Sequence, residues 1–189
     1  GTRLSLASIH KALKRSNVKP IKKLKRDKKF KRYQRPVPAN RVQIDTCKIA
    51  SDIYQYTAVD DCSRWRVMEL YKRRSATNTL DFIDVMIEQL PFPLQRIQCD
   101  RGREFFTVKV QEKLMKYSIK FRPVKPGSPH LNGKVEHSQK TDLREFYANT
   151  DLSNFETLKN QLKEWQFSYN YQRLHGFLKG KTPAQYSEN

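Results

Sequence analysis

Cysteine pairs, long apolar runs and acidic side chains are all scarce in this 189-residue chain. The three cysteines, Cys47, Cys62 and Cys99, are odd in number and have no C-x-x-C spacing, which argues against a disulfide framework and a cysteine-built zinc site. No apolar run is long enough to cross a bilayer, and the N-terminal residues lack the apolar segment of a secretory signal. We therefore expect a cytoplasmic protein with no membrane partner.

The shortage of acids leaves a large positive charge. Lys and Arg number 38 against 19 Asp and Glu, so the formal net charge is +19 at pH 7. Such an excess in a soluble chain indicates a polyanionic partner, most often nucleic acid. Residues 1–41 carry 15 of the basic side chains and a single acid, Asp27, so the positive charge belongs mainly to an N-terminal arm.

The first part of this arm has the pattern of a short amphipathic helix. Leu6, Ile9 and Leu13 recur at helical spacing within residues 5–16, and either of two serines can cap the start. The helix is either a surface helix docked on the core or the last helix of a helix-turn-helix whose earlier helices are absent from this chain.

A basic linker follows at residues 17–41. It has three prolines and little apolar periodicity, so we expect no packed core of its own. A run this basic is either a solvated tail or a contact for the DNA backbone. Its charge density favours the second, because each neutralised phosphate releases counterions. The candidate phosphate contacts are Lys22, Lys23, Lys25, Arg26, Lys28 and Lys29.

From residue 42 the pattern is typical of an α/β domain. Strands are predicted at residues 42–49, 54–60, 65–71, 94–99 and 119–122, and helices at about 77–90, 110–117, 132–148 and from 155. The third helix is polar through its middle, so it should face solvent or a polar partner. The last follows an apparent capping box from Ser153 to Glu156 and carries one apolar stripe. This order indicates a mixed sheet flanked by helices.

Three carboxylates are the candidate catalytic residues. Asp45 lies within the first strand, Asp100 ends the fourth, and Glu136 falls in the first turn of the polar helix. Asp45 has core-like neighbours, and a buried acid needs a partner that offsets its desolvation. Two Mg²⁺ or Mn²⁺ ions, which prefer oxygen ligands and serve phosphoryl transfer, would do so. Acids at strand ends and helix starts are also common caps and dipole partners, and spacing alone leaves both interpretations open.

Several motifs surround these acids in a consistent order. They read QIDTCKI at 43–49, AVDDCSRW at 58–65, CDRGREF at 99–105, PGSPHLNGKVEHSQ at 126–139 and WQFSYNYQRLHGFLKGKTPAQY at 165–186. In addition, 35 residues separate Asp100 from Glu136. Together these features resemble the integrase catalytic core of bacterial insertion-sequence transposases and retroviral integrases, whose motif is Asp, Asp, 35 residues and then Glu.

The resemblance implies a ribonuclease-H-like fold, with a five-stranded mixed sheet, over residues 42–189. It also implies that residues 1–16 are the remnant of a helix-turn-helix DNA-binding domain. The expected enzyme is a DNA transposase that cuts and joins strands with two Mg²⁺ or Mn²⁺ ions bound by Asp45, Asp100 and Glu136. Its expected partners are double-stranded DNA, both element ends and target, and further copies of itself in a homodimer or larger multimer, associated with the bacterial nucleoid.

Basic side chains near the triad are further candidate DNA contacts: Lys134, Lys140, Arg144 and Arg101. Lys140 and Arg144 continue the helix face of Glu136, where an i, i+4 salt bridge and phosphate positioning are both open. Arg101 departs from the family, which usually has Asn after the second Asp, and its charge could bind phosphate or lower metal affinity. Glu104 is expected to pair with Arg101 or Arg103.

Two alternative functions stay open. One is a DNA-binding remnant of a transposase without catalysis, and the other is a structure-specific nuclease of the same fold. A retroviral-type integrase is disfavoured, because the four histidines and three cysteines do not form the zinc-binding module of that group.

Overall fold

The computed structural model describes residues 5–18, 35–100, 102–125 and 129–188, and the chain forms two compact units, Gly1–Tyr33 and Gln34–Asn189. In the first unit, α1 spans Leu6–Arg15, and the Ser5 hydroxyl caps it by accepting a hydrogen bond from the Ser8 N–H at 3.2 Å. The predicted amphipathic helix is therefore confirmed. The six predicted phosphate contacts of the linker fall within residues 19–34, outside the described residues.

The second unit is built on a five-stranded mixed sheet with the order β3-β2-β1-β4-β5. The antiparallel strands β1 to β3 are Val42–Ala50, Ile53–Asp60 and Arg66–Tyr71, and β4 (Arg96–Cys99) and β5 (Lys120–Pro123) run parallel to β1. The helices α2 to α6 are Ala76–Gln89, Val108–Lys116, Gly133–Glu145, Phe155–Tyr171 and Pro183–Ser187. The predicted strands and mixed sheet are confirmed. Across the described ranges, no helix is both long and apolar enough to cross a membrane.

One face of the sheet carries an apolar core. Strand side chains alternate between faces, and Val42 and Ile44 of β1 lie with Ile97 and Cys99 of β4 in a buried cluster. The helices α2 and α3 complete this cluster with Phe82, Ile83, Met86, Val110 and Leu114. These two helices therefore cover the apolar face.

The opposite face is buried but polar in its centre. Gln43 on β1, Gln55 and Thr57 on β2, and Gln98 on β4 are all at most 2% exposed. The helix α4 packs on β1 and β2, and its own buried positions are mostly polar: Ser138, Gln139 and Asp142, with Val135. The helix that the sequence predicts to face solvent or a polar partner thus lies against a polar sheet surface.

A buried ion pair joins α4 to the sheet. The fully buried guanidinium of Arg66 donates to Asp142 at 2.7 Å and to the Ser138 hydroxyl at 2.9 Å. The second carboxylate oxygen of Asp142 accepts from the Gln55 amide at 2.8 Å, and the first also accepts from the Trp165 indole at 2.8 Å. Both oxygens of the buried Asp142 carboxylate therefore have hydrogen-bond partners, which offsets part of the cost of removing its charge from water.

The helix α5 covers the free edge of β3. The Asn170 amide accepts from the Arg66 N–H at 2.9 Å and donates to the Arg66 carbonyl at 2.7 Å, while Gln166, one helical turn earlier, accepts from the Met68 N–H. The Arg66 guanidinium carbon also lies 3.6 Å from the ring centroid of Tyr169, a cation–π contact. Side chains thus take the place of a sixth strand along this part of the edge.

The start of α5 differs from the prediction. Asn154 caps the helix by accepting from the Thr157 N–H at 3.0 Å. The capping box predicted at Ser153 is wrong, because the Ser153 hydroxyl and N–H both bond to the Asp151 carboxylate, at 2.8 and 2.9 Å. The predicted apolar stripe is confirmed, with three of its members buried: Leu158, Leu162 and Tyr169.

Replacing Asp142 by Ala should lower the free energy of unfolding by about 3–5 kcal/mol, because the Arg66 guanidinium stays buried without its counter-ion. Glu145→Gln is the matched control on the same helix. It breaks the partly exposed pair with Arg173 and should change the free energy of unfolding by about 0–1 kcal/mol. Urea denaturation of both variants measures the difference. Equal losses would contradict the assignment of Arg66–Asp142 as the main electrostatic attachment of α4.

Candidate functional site

The register of the sheet brings two of the predicted metal ligands together. The strands β1 and β4 run parallel, with Ile44 opposite Cys99. Asp45 follows Ile44 on β1, and Asp100 directly follows Cys99 at the end of β4. Because the two strands are parallel, Asp45 and Asp100 lie next to each other at the same level of the sheet. Asp100 is exposed and Asp45 is partly buried.

The Asp45 carboxyl has a raised pKa. Its Oδ1 accepts from the Thr46 N–H at 2.9 Å, which lowers the pKa. Burial opposes this most strongly, followed by the negative charge of Asp100 and then those of Glu136 and Glu104, and together they raise the pKa to about 7 from the ordinary 3.8. All three predicted ligands therefore share one electronegative neighbourhood, in which a bound cation would favour ionised Asp45.

The third predicted ligand, Glu136, lies partly buried in the first turn of α4. The segment that leads into this helix is attached to the sheet. The Gln98 amide of β4 donates to the Leu131 carbonyl at 2.6 Å, and the Asn132 amide donates to the Ile44 carbonyl at 3.5 Å. The first attachment lies two residues before Asp100, and the second lies one residue before Asp45.

A second buried acid, Asp61, organises the basic side chains beside α4. Its carboxylate pairs with Arg41 and, at 3.0 Å, with the Lys134 ammonium, and it accepts from the Gln43 amide at 2.8 Å. Burial lowers the pKa of Lys134, and the charge of Asp61 opposes that change. Lys134 therefore has a structural partner inside the protein, while its contact with DNA stays a prediction.

Glu104 is a fourth acid of this neighbourhood, and the sequence interpretation of it was incomplete. Its buried carboxylate pairs with Arg74 at 3.4 Å rather than with Arg103. The loop before it folds closely over this group, since a Cβ atom at Gly102 would lie 2.7 Å from Oε2 of Glu104. The Gly102 N–H also donates to Asp100 at 2.9 Å. The G-x-E spacing after Asp100 could have indicated that Glu104 lies close to the loop. It could not have indicated the partner of Glu104, because Arg74 lies far away in sequence.

The predicted ligands are neighbours without forming a complete coordination set. Within the part of the chain that the structure describes, no group of three or more His, Cys, Asp or Glu side chains is arranged to hold a metal ion. The negative charges of Asp100 and Glu136 both act on Asp45.

Lys140 and Arg144 are exposed on α4, and none of the ion pairs in the described ranges joins Lys140 to Glu136. Arg101 lies outside the described residues.

Known proteins resemble both the sequence and the fold. Two family profiles, each described as Integrase core domain, match residues 35–129 and 117–183. A protein named "Putative integrase ORF3" from Spiroplasma virus SpV1-C74 is 24% identical over 149 residues, which are 70% of this chain and 41% of that protein.

A solved structure supports the fold. One chain of the simian T-cell lymphotropic virus intasome, determined by cryo-EM in complex with PP2A regulatory subunit B56 gamma, matches with a TM-score of 0.72 and 17% identity. The match covers 83% of this chain and 57% of the other, so this chain spans less than two thirds of either relative. The predicted ribonuclease-H-like fold is confirmed.

Asp45→Asn should increase the free energy of unfolding at pH 8 in the absence of metal. In the folded wild type, Asp45 keeps its proton up to about pH 7, whereas the unfolded chain loses it near pH 4. Wild-type stability should therefore fall as the pH rises from 4 to 7, and the non-titrating variant should not share that loss. One pKa unit corresponds to about 1.4 kcal/mol, so the difference at pH 8 should be a few kcal/mol.

Urea denaturation in EDTA across this pH range measures the effect. Asp52→Asn, which removes an exposed acid from the β1–β2 turn, is the control and should follow the wild type. Equal stability of Asp45→Asn and wild type at pH 8 would contradict the raised pKa.

Proposed function

Because this chain belongs to the integrase core domain family, whose profile matches residues 35–129, we propose that it is the catalytic portion of a DNA transposase. In this proposal it cleaves a DNA strand at the 3′ end of an element and joins that end to target DNA. Asp45, Asp100 and Glu136 are the catalytic residues. The observation that supports the proposal is the adjacency of Asp45 on β1 and Asp100 directly after β4, in an electronegative neighbourhood shared with Glu136.

The donor chemistry of these side chains fits two Mg²⁺ or Mn²⁺ ions. Hard divalent cations prefer carboxylate oxygens, and three acids from separate elements supply them. When bound, such ions activate the attacking oxygen and stabilise the leaving oxygen of a phosphoryl transfer. Asp45 must lose its proton before its carboxylate can bind a metal ion. The affinity for the metal should therefore rise as the pH increases through about 7.

Exposed basic side chains would hold the DNA beside these acids. Lys140 and Arg144 lie one and two turns after Glu136 on α4 and are exposed, so we assign them to backbone phosphates. We give the same role to Arg101 and to the six basic residues of the linker, while the buried attachment of Lys134 to Asp61 makes it the weakest of the DNA candidates. Two DNA ends and a target require at least two active sites, which supports a homodimer or larger multimer.

Wild-type protein should nick supercoiled plasmid DNA when Mn²⁺ or Mg²⁺ is present, and Asp100→Asn should not, because the variant lacks one of the metal-binding carboxylates. Gel electrophoresis of plasmid topoisomers measures nicking. Asp52→Asn makes the same charge change in an exposed turn and should retain wild-type activity. Absence of metal-dependent nicking by wild-type protein would contradict catalysis and favour a DNA-binding remnant.

A labelled duplex with a free 3′-hydroxyl distinguishes the remaining alternatives. A transposase should join the labelled strand to the plasmid in a metal-dependent reaction, because the 3′-hydroxyl replaces water as the attacking group. Nicking without any joined product would indicate a nuclease of the same fold.

Lys140→Ala should weaken DNA binding nearly equally for unrelated sequences and reduce the salt dependence of the logarithm of the binding constant by about one. The reason is the loss of one phosphate contact. Fluorescence anisotropy of a labelled duplex at several salt concentrations measures both quantities. Lys116→Ala is the control, since this exposed lysine ends α3 on the apolar side of the sheet. An unchanged salt dependence for Lys140→Ala would remove Lys140 from the DNA contacts.

A further inference from the structure

The helix that carries Glu136 begins without a cap of its own. Asn132 precedes α4, and its side chain makes no capping hydrogen bond. The first N–H groups of a helix have no partner inside the helix, so a buried helix start needs an acceptor from elsewhere. For α4 that acceptor is the side-chain oxygen of Gln43, which accepts from the N–H of Lys134 at 3.1 Å and of Val135 at 3.4 Å.

Gln43 is held in a single orientation. It is 1% exposed, and its amide nitrogen donates to Asp61 at 2.8 Å. An ionised carboxylate only accepts hydrogen bonds, and the amides of α4 only donate them. The nitrogen of Gln43 must therefore face Asp61 while its oxygen faces α4. The pairing of Asp61 with Arg41 and Lys134 keeps that carboxylate in place.

The position of Gln43 links two of the three catalytic acids. It lies two residues before Asp45 on β1, so both side chains point to the same face of the sheet. Its contacts on α4 are the N–H groups of Lys134 and Val135, the two residues directly before Glu136. One side chain therefore spans from the strand of the first acid to the helix turn of the third.

We propose that Gln43 is a positioning residue that sets Glu136 relative to Asp45 by capping α4 from the neighbouring strand. This role rests on the function proposed above for the triad. The rest of α4 is attached independently through Asp142, one turn and more beyond Glu136. Loss of the Gln43 acceptor therefore loosens the first turn of α4 without releasing the helix.

Gln43→Met tests the proposal because it removes both hydrogen-bonding atoms at nearly constant size. Amide hydrogen exchange in residues 131–140 of the metal-free protein should become faster. The dissociation constant for Mn²⁺, measured by calorimetry, should rise by about 10- to 100-fold, as for other groups that orient metal ligands. Plasmid nicking should fall at limiting Mn²⁺ and recover in part when the Mn²⁺ concentration is raised.

Two further variants separate positioning from a general loss of stability. Gln55→Met removes an equally buried amide from β2 that contacts the middle of α4, not its start, and should leave Mn²⁺ affinity unchanged. In the double variant Gln43→Glu with Asp61→Asn, the carboxylate at position 43 can still accept from the N–H groups of α4, and the amide at position 61 can donate to that carboxylate. The double variant should therefore show slower exchange and tighter Mn²⁺ binding than Gln43→Met.

The outcomes are distinguishable. Unchanged exchange in residues 131–140, or unchanged Mn²⁺ affinity in Gln43→Met, would overturn the positioning role, as would an equal loss of affinity in Gln55→Met. If wild-type protein neither binds Mn²⁺ nor nicks DNA, the proposed function itself fails, and the positioning role fails with it.

Discussion

Hydrogen bonding between the polar face of the sheet and α4 is the interaction on which the rest of the second unit depends. An apolar interface tolerates small shifts, whereas a buried hydrogen bond or ion pair is lost when its two partners move apart. Arg66 and Asp142 provide the strongest such requirement, because neither charge has access to water. The helix α4 therefore has few alternative placements, which fixes the residues on it relative to the strands.

The two faces of the sheet contribute differently to stability and to the placement of the acids. The helices α2 and α3 bury Phe82 and Leu114 on the apolar side and account for much of the hydrophobic stabilisation. On the other side, the polar groups buried under α4 contribute less net stability each, while α5 buries Leu158 and Leu162 in a second apolar cluster. The polar burial places acids where apolar packing would exclude them, and the raised pKa of Asp45 shows the resulting electrostatic strain.

The sequence predicted the elements better than their partners. Strand and helix positions follow from local periodicity, which explains why the five strands agree within two residues and why the stripe through Leu158 and Leu162 was correct. Partners depend on distant residues: Arg66 lies 76 positions before Asp142, and Glu104 pairs with Arg74, which no local pattern indicates. Asp151 likewise competes for Ser153 and leaves the cap to Asn154. The adjacency of Asp45 and Asp100 required the strand register, which the sequence does not contain explicitly.

The covered edge of the sheet limits how copies of this protein can associate. Asn170 and Gln166 occupy the hydrogen-bonding groups of β3 that an incoming strand would need. The other edge, β5, presents exposed Lys120 and Arg122 and ends at a proline, features that discourage strand addition. A continuous intermolecular sheet is therefore disfavoured at both edges. In the multimer proposed above, copies of the chain would therefore meet through helices or loops, and their contacts would leave the strand pairing that positions Asp45 and Asp100 undisturbed.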